Sequence, residues 1–217
     1  MKNVIFIAAP ATGKGTFSNM LMERCGYNHI STGDLLRNIV KTNTSLGNEV
    51  AEVLNSGKLV NDELIFKILK DALKQMDLQN PFIIDGLPRN INQAYYLNNL
   101  FNEINIDNYL VINLDLEYEI ALKRALGRLS CPNCGTTYNK FFDEFKPKIE
   151  NICDKCGSVL DSRTDDNEES FKERFETYQN NVKPILEYYE NNNKLLKIST
   201  HEFTNEEIFD IIVNAVK

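Results

Sequence analysis

The chain has 217 residues, 42% of them hydrophobic and 25% charged, with 10 Gly and 6 Pro. That composition excludes a disordered polyelectrolyte, a collagen-like repeat and a fibrous coil. The longest apolar runs, such as Val4 to Ala11, fall far short of the roughly 20 residues needed to span a bilayer. The formal charge of -7 disfavours broad binding to nucleic acid or to an anionic membrane, because both need a basic surface.

Val4 to Ala8 reads as a strand, Pro10 to Thr16 as a loop and Phe17 to Cys25 as a helix. The apolar N-terminal stretch leads straight into Gly13-Lys14-Gly15-Thr16 rather than a cleavage site, so it is read as a buried first strand and not a leader. Helical period follows over Asp34 to Lys41 and Asn61 to Met76, then a strand at Phe82 to Asp85 and a helix at Ile91 to Phe101. A strand at Tyr109 to Leu114 precedes a helix at Glu117 to Arg128. The chain closes on a helix at Glu168 to Tyr189, a strand at Leu195 to Ser199 and a helix at Asn205 to Val216. Such alternation predicts an α/β fold, a parallel β-sheet flanked by helices on both faces. Asn61, with Asp62 and Glu63 behind it, has the pattern of an N-cap followed by an acidic first turn. Pro184 is expected to kink its helix without ending it, and Asn191 to Asn193 reads as a polar surface turn.

One stretch breaks the pattern. Leu129 to about Ser162 has no helical periodicity, contains Pro132 and Pro147, and holds four of the five cysteines, so it reads as a small insert. Cys131-x2-Cys134 and Cys153-x2-Cys156 form two knuckles with the separation of a zinc ribbon. Four soft thiolates in a reducing compartment favour Zn²⁺ and leave no open position for water, which makes the metal structural; redox dithiols and idle thiols are the alternatives. Cys25 stands alone and reads as a small buried apolar residue. His29 and His201 belong to no motif and are read as structural.

Two further motifs carry phosphate chemistry. Ala8-Ala9-Pro10-Ala11-Thr12-Gly13-Lys14-Gly15-Thr16 lies between a strand and a helix, where backbone N–H groups and the helix N-terminus cradle phosphate oxygens, a Lys reaches them, and Thr16 can approach Mg²⁺. It departs from the strict phosphate-loop pattern at Ala8 and at Gly15. Asp85-Gly86-Leu87-Pro88-Arg89, with Gln93, follows a buried strand and puts Asp85 at the carboxyl end, where ligands of open α/β sheets bind and where it can reach Mg²⁺ or its waters. Only seven of the 24 basic residues are Arg: Arg24, Arg37, Arg89, Arg124, Arg128, Arg163 and Arg174. A residue type used so sparingly, and able to grip phosphate bidentately, invites a functional reading.

Ordered along the chain are the loop ending in Gly13-Lys14-Gly15-Thr16, Ser31-Thr32-Gly33-Asp34 with Arg37, Gly57-Lys58-Leu59-Val60, Asp85 to Arg89 with Gln93, Ala125-Leu126-Gly127-Arg128, Arg163-Thr164-Asp165-Asp166, and Glu173-Arg174. In this order they resemble the adenylate kinases, within the nucleoside monophosphate kinases, over essentially the whole chain. The resemblance implies a P-loop kinase type of α/β fold with a CORE (1–31, 62–127 and 164–217), an AMP-binding helical arm (32–61) and a zinc-binding LID (128–163). It implies Mg²⁺-dependent, reversible transfer of phosphate from ATP to AMP to give two ADP, by a cytoplasmic monomer with no nucleic-acid or membrane partner. It puts ATP on Ala11, Thr12, Gly13, Lys14, Gly15, Thr16, Arg124, Arg128, Thr137 and Tyr138. AMP falls on Thr32, Arg37, Lys58, Leu59, Val60, Gly86, Leu87, Pro88, Arg89, Gln93, Arg163 and Arg174. The transferring phosphoryl group falls among Lys14, Arg89, Arg124, Arg163 and Arg174, with zinc on Cys131, Cys134, Cys153 and Cys156. Arg24 is left for a surface role.

The departures carry their own expectations. The family's loop is usually Gly-rich where this chain has Ala8 and Ala11. Ala8 ends a strand and tolerates a Cβ, whereas Ala11 is expected to hold φ > 0 with a strain of about 1–2 kcal/mol. These two residues motivate one alternative, a weakly active or non-catalytic nucleotide-binding protein. A pyrimidine monophosphate kinase is the other, against which Thr32 and Gln93 point. A zinc-ribbon nucleic-acid module is disfavoured by the acidic charge.

Overall fold

The computed structural model describes residues 1–42, 44–56 and 58–217. Asn43, inside the expected AMP arm, and Gly57, the first residue of the Gly57 to Val60 motif, lie outside the described residues. In chain order the first half runs β1 (Asn3–Ala8), α1 (Lys14–Cys25), β2 (Asn28–Ser31), α2 (Thr32–Val40), α3 (Ser45–Asn55), α4 (Asp62–Gln75), β3 (Phe82–Asp85) and α5 (Ile91–Glu103). The second half runs β4 (Tyr109–Asp115), α6 (Tyr118–Leu126), β5 (Arg128–Ser130), β6 (Thr137–Asn139), a 3₁₀ turn at Asp143–Phe145, α7 (Glu168–Asn191), β7 (Leu195–Ser199) and α8 (Asn205–Val216).

The larger sheet has the order β2-β3-β1-β4-β7, and every neighbouring pair is parallel. Alternation along β1 splits the core between the two faces. Ile5 and Ile7 point into a cluster with Leu36, Phe66, Leu69, Phe101 and Tyr189, whereas Val4 and Phe6 join Phe17, Leu21, Ile208 and Ile212 on the other side. Each such fully buried side chain contributes roughly 1.5–3 kcal/mol relative to exposure, and the two faces together explain why the strands read as near-continuous apolar runs.

Several elements differ from the sequence reading. Helix α1 begins at Lys14 rather than Phe17, because Gly13, at φ 101°, is the N-cap and turns the chain into the helix directly behind it. Strand β2 and helix α3 lack a strong local signal. β2 is a four-residue edge strand held by β3 in register His29 to Ile83. α3 has Gly47 in its first turn, where it packs on α2: a Cβ there would lie 2.8 Å from the Ile39 carbonyl oxygen. Arg128 belongs to β5 and not to the preceding helix, which ends at Leu126. Asn61 caps α4 through a 2.8 Å bond from the Glu63 N–H, and α7 runs uninterrupted through Pro184. Cys25 is only partly buried, against the Phe17 face of the core. Asn193, at φ 53°, turns the chain out of α7. No described helix is long and apolar enough to cross a membrane.

The stretch between α6 and α7 forms its own small unit. β5 and β6 pair antiparallel, with Ser130 bridged to Asp161, and Tyr138, Leu160, Cys131 and Cys153 make a separate apolar cluster.

Candidate active site

Parallel strands deliver their carboxyl ends to one edge of the sheet. Ala8, Ser31 and Asp85 end β1, β2 and β3 there, with Ser31 directly opposite Asp85. The loop after β1 folds back on itself: Thr12, 1% exposed, donates its hydroxyl to the Ala9 carbonyl at 3.1 Å. Ala11 has φ 63° and Gly13 φ 101°, so the chain turns twice through the left-handed region before α1 starts. Ala8 is extended within β1, as expected. The N-terminus of α1 is thereby aimed into a cavity of about 430 Å³.

Every residue that the sequence reading assigns to ATP lines this cavity: Ala11 to Thr16 from the loop, Arg124 and Arg128 from the entry to the insert, and Thr137 and Tyr138 from β6. Arg37, Gly86, Arg89, Arg163 and Arg174 of the AMP set line it too. The remaining members, Thr32, Lys58, Leu59, Val60, Leu87, Pro88 and Gln93, wall two smaller hollows that share Gly86 and Arg89 with it. Gly86 is required at that junction: it has φ 93°, and a Cβ there would lie 2.3 Å from Thr32 Oγ1. Thr32 itself donates to the Asp85 carbonyl at 3.1 Å.

The electrostatics are unusual for an acidic chain. Lys14 and six of the seven Arg converge here, while Arg24 stays outside in an exposed pair with Glu206, as expected. Four aspartates hold the cations in place. Asp85 lies 3.7 Å from Lys14 Nζ, Asp34 2.6 Å from Arg37, and Asp165 2.9 Å from Arg174. Asp166, with its side chain 3% exposed, receives Arg128 through two bonds, that from Nε at 2.7 Å. Burial, reinforced by Arg128 and Arg37, pushes the Arg163 guanidinium down to about 10. Burial likewise brings Arg174 to about 10, with Arg128 and Arg89 pushing the same way and Asp165 and Asp166 opposing. Lys14 is lowered by burial and by three neighbouring Arg, against the pull of Asp85. Arg163 and Arg174 remain cationic at neutral pH, and the crowding favours a polyanion that would relieve it.

Sequence reasoning gave no role to Asp34, Asp165 or Asp166 as partners of the Arg cluster, although two of them stand in the Arg163 to Asp166 motif. His29, read as structural, reaches the wall of the cavity from β2. The Tyr138 side chain turns away from a purely nucleotide role: its hydroxyl accepts from the Asp154 N–H at 2.8 Å and lies 3.6 Å from Cys153 Sγ.

The four insert cysteines form a compact ligand set. Their sulfurs all lie within 4.8 Å of one another, with Cys131 to Cys156 at 3.4 Å and Cys134 to Cys153 at 3.5 Å. None is in a disulfide. Tetrahedral thiolates at the usual Zn–S distance of about 2.3 Å stand roughly 3.8 Å apart, so the set fits one zinc-sized ion. The two knuckles are built alike: Gly135 and Gly157 N–H groups donate to Cys131 and Cys153 carbonyls at 3.0 and 2.8 Å.

The comparisons agree with this geometry. The adenylate kinase family profile matches residues 6–194. The chain is 39% identical to the adenylate kinase of Thermodesulfovibrio yellowstonii over 96% of both chains. It is 42% identical to that of Ruminiclostridium cellulolyticum over 88% of this chain and 89% of the other, and 39% identical to that of Thermosipho africanus over 91% of each. A phosphate loop at the carboxyl edge of a parallel sheet, six convergent arginines and kinship along nearly the whole length lead to one conclusion: the chain belongs to the adenylate kinase family.

Proposed function

We propose that the cavity transfers the γ-phosphoryl group of ATP directly to AMP, giving two ADP. The observation that carries this reading is the convergence of Lys14 and six Arg on one cavity facing a helix N-terminus, in a chain of net charge -7. The Ala11 to Thr16 N–H groups and Lys14 hold the ATP phosphates, with Arg124, Arg128, Thr137 and Tyr138 closing over that nucleotide. Arg37 and Arg89 clamp the AMP phosphate, and Thr32, Lys58 to Val60, Gly86 to Pro88 and Gln93 surround its ribose and base. In this reading residues 32–61 are the AMP arm, 128–163 the LID and the rest the CORE.

The attacking group is a phosphate oxygen of AMP, already ionised, so no general base is needed. A new P–O bond forms to that oxygen as the bond to the β–γ bridging oxygen breaks, and the charge spread over the equatorial oxygens falls to Lys14, Arg89, Arg124, Arg163 and Arg174. A fixed donor of this kind is worth about 10²–10³ in rate. Asp85 and the Thr16 hydroxyl supply the hard oxygen donors that suit Mg²⁺, which when bound neutralises charge on the phosphates. Cys131, Cys134, Cys153 and Cys156 hold a structural zinc, whose closed ligand set leaves it no part in the chemistry.

The test is turnover of AMP, CMP, UMP and GMP with Mg-ATP. Preference for AMP by at least tenfold in kcat/KM is expected. Faster turnover of CMP or UMP would replace this reading by a pyrimidine kinase, and tight ATP binding without turnover would replace it by a non-catalytic nucleotide-binding protein.

A further inference from the structure

Gln93, assigned above to the AMP base, is 2% exposed, and protein atoms hold both ends of its amide. Its Oε1 accepts from the Arg89 N–H at 2.6 Å, and its Nε2 donates to Asp62 Oδ1 at 2.6 Å. A backbone N–H can only donate and an ionised carboxylate can only accept, so these partners permit a single orientation of the amide. Asp62 is itself held. It is the first residue of α4, where a helix N-terminus favours negative charge, and Asn90 Nδ2 lies 3.3 and 3.4 Å from its two oxygens. Asn90 in turn accepts from the Gln93 N–H at 2.8 Å and caps α5, tying the two helix starts together.

We propose that Asp62 is a specificity-positioning residue: by locking the Gln93 amide with nitrogen toward itself and oxygen toward Arg89, it makes the site accept a 6-amino purine and reject a 6-oxo purine. The proposal rests on the assignment of Gln93 to the AMP base. Once its two protein bonds are made, the amide has one N–H and one oxygen lone pair to offer. Adenine presents an acceptor at N1 beside a donor at the 6-amino group, which matches that pair. Hypoxanthine and guanine present the same two positions with the roles reversed, a donor at N1 and an acceptor at O6. They would fit only a flipped amide, which would aim Oε1 at the Asp62 carboxylate and Nε2 at the Arg89 N–H, leaving buried groups facing their own kind. A bidentate pair of this type discriminates about ten- to a hundredfold between bases.

The experiment compares AMP with inosine monophosphate as phosphoryl acceptor. The two differ only at position 6 and the N1 proton. Steady-state kinetics with saturating Mg-ATP are measured for the wild type, Asp62→Asn and Asp62→Ala, with circular dichroism melting to place each assay below its unfolding transition. Asp62→Asn introduces an amide that can donate to Gln93 Oε1 and so support the flipped orientation. Asp62→Ala removes the constraint altogether, and either folded variant suffices. The AMP-to-IMP ratio of kcat/KM is expected to fall about tenfold, mainly through a raised KM for AMP, with KM for ATP unchanged. A merely structural role would depress both acceptors together. A ratio within twofold of the wild type would overturn the role of Asp62 while leaving the kinase reading intact. A wild-type protein that does not phosphorylate AMP would overturn that reading and this inference with it.

Discussion

Replacing Ala11 with Gly separates backbone strain from side-chain packing in the phosphate loop. Ala11 holds φ 63°, where a Cβ costs roughly 1–2 kcal/mol relative to glycine. Two terms oppose the relief. The unfolded chain gains about 0.4–1 kcal/mol of freedom with Gly. The partly buried methyl, packed against the cluster of Ala9, Leu116 and Phe171, forfeits about half of the ~0.8 kcal/mol of a buried methylene. The net effect lies between about -0.4 and +1.2 kcal/mol, which for a chain of this size is a melting shift of roughly -1 to +4 °C. Ala8 is extended in β1 and carries no such strain. Ala8→Gly therefore costs about 0.5–1 kcal/mol through the added freedom of the unfolded backbone, together with the lost methyl contact, and should melt roughly 2–5 °C lower. Calorimetry on both variants should place Ala11→Gly above Ala8→Gly, and the relaxed loop should improve ATP binding or turnover more in the former. Ala11→Gly melting at or below Ala8→Gly would refute the claim that the loop is strained at residue 11.

Arg89→Lys should lower kcat/KM for AMP at least tenfold, because Nε is committed to the Gly86 carbonyl at 2.8 Å and the rest of the fork is needed to grip phosphate; steady-state rates near wild type would remove Arg89 from that role. Metal analysis should find one zinc per chain, and chelation should increase amide exchange in residues 128–163 far more than in the sheet, because all four ligands lie inside the insert. Protein grown with ample metal but lacking zinc, or exchange rising equally in the sheet, would contradict a local structural metal.

Much of this protein was legible because its signals are local. The apolar strands β1, β3 and β4, the capped start of α4 at Asn61 and the whole of α8 follow from neighbouring residues. The left-handed turn at Ala11 and the knuckle spacing of the four cysteines are likewise properties of short segments. Tertiary structure alone decided what depends on distant partners. β2 is polar at three of its four positions and is a strand because β3 supplies its hydrogen bonds. α3 tolerates Gly47 because it packs tightly on α2. The pairings of Arg128 with Asp166 and of Gln93 with Asp62 join residues 38 and 31 positions apart. No periodicity records such contacts, because the free energy that selects them comes from desolvated charges and amides meeting only once the sheet edge, α4 and α7 are assembled around one cavity.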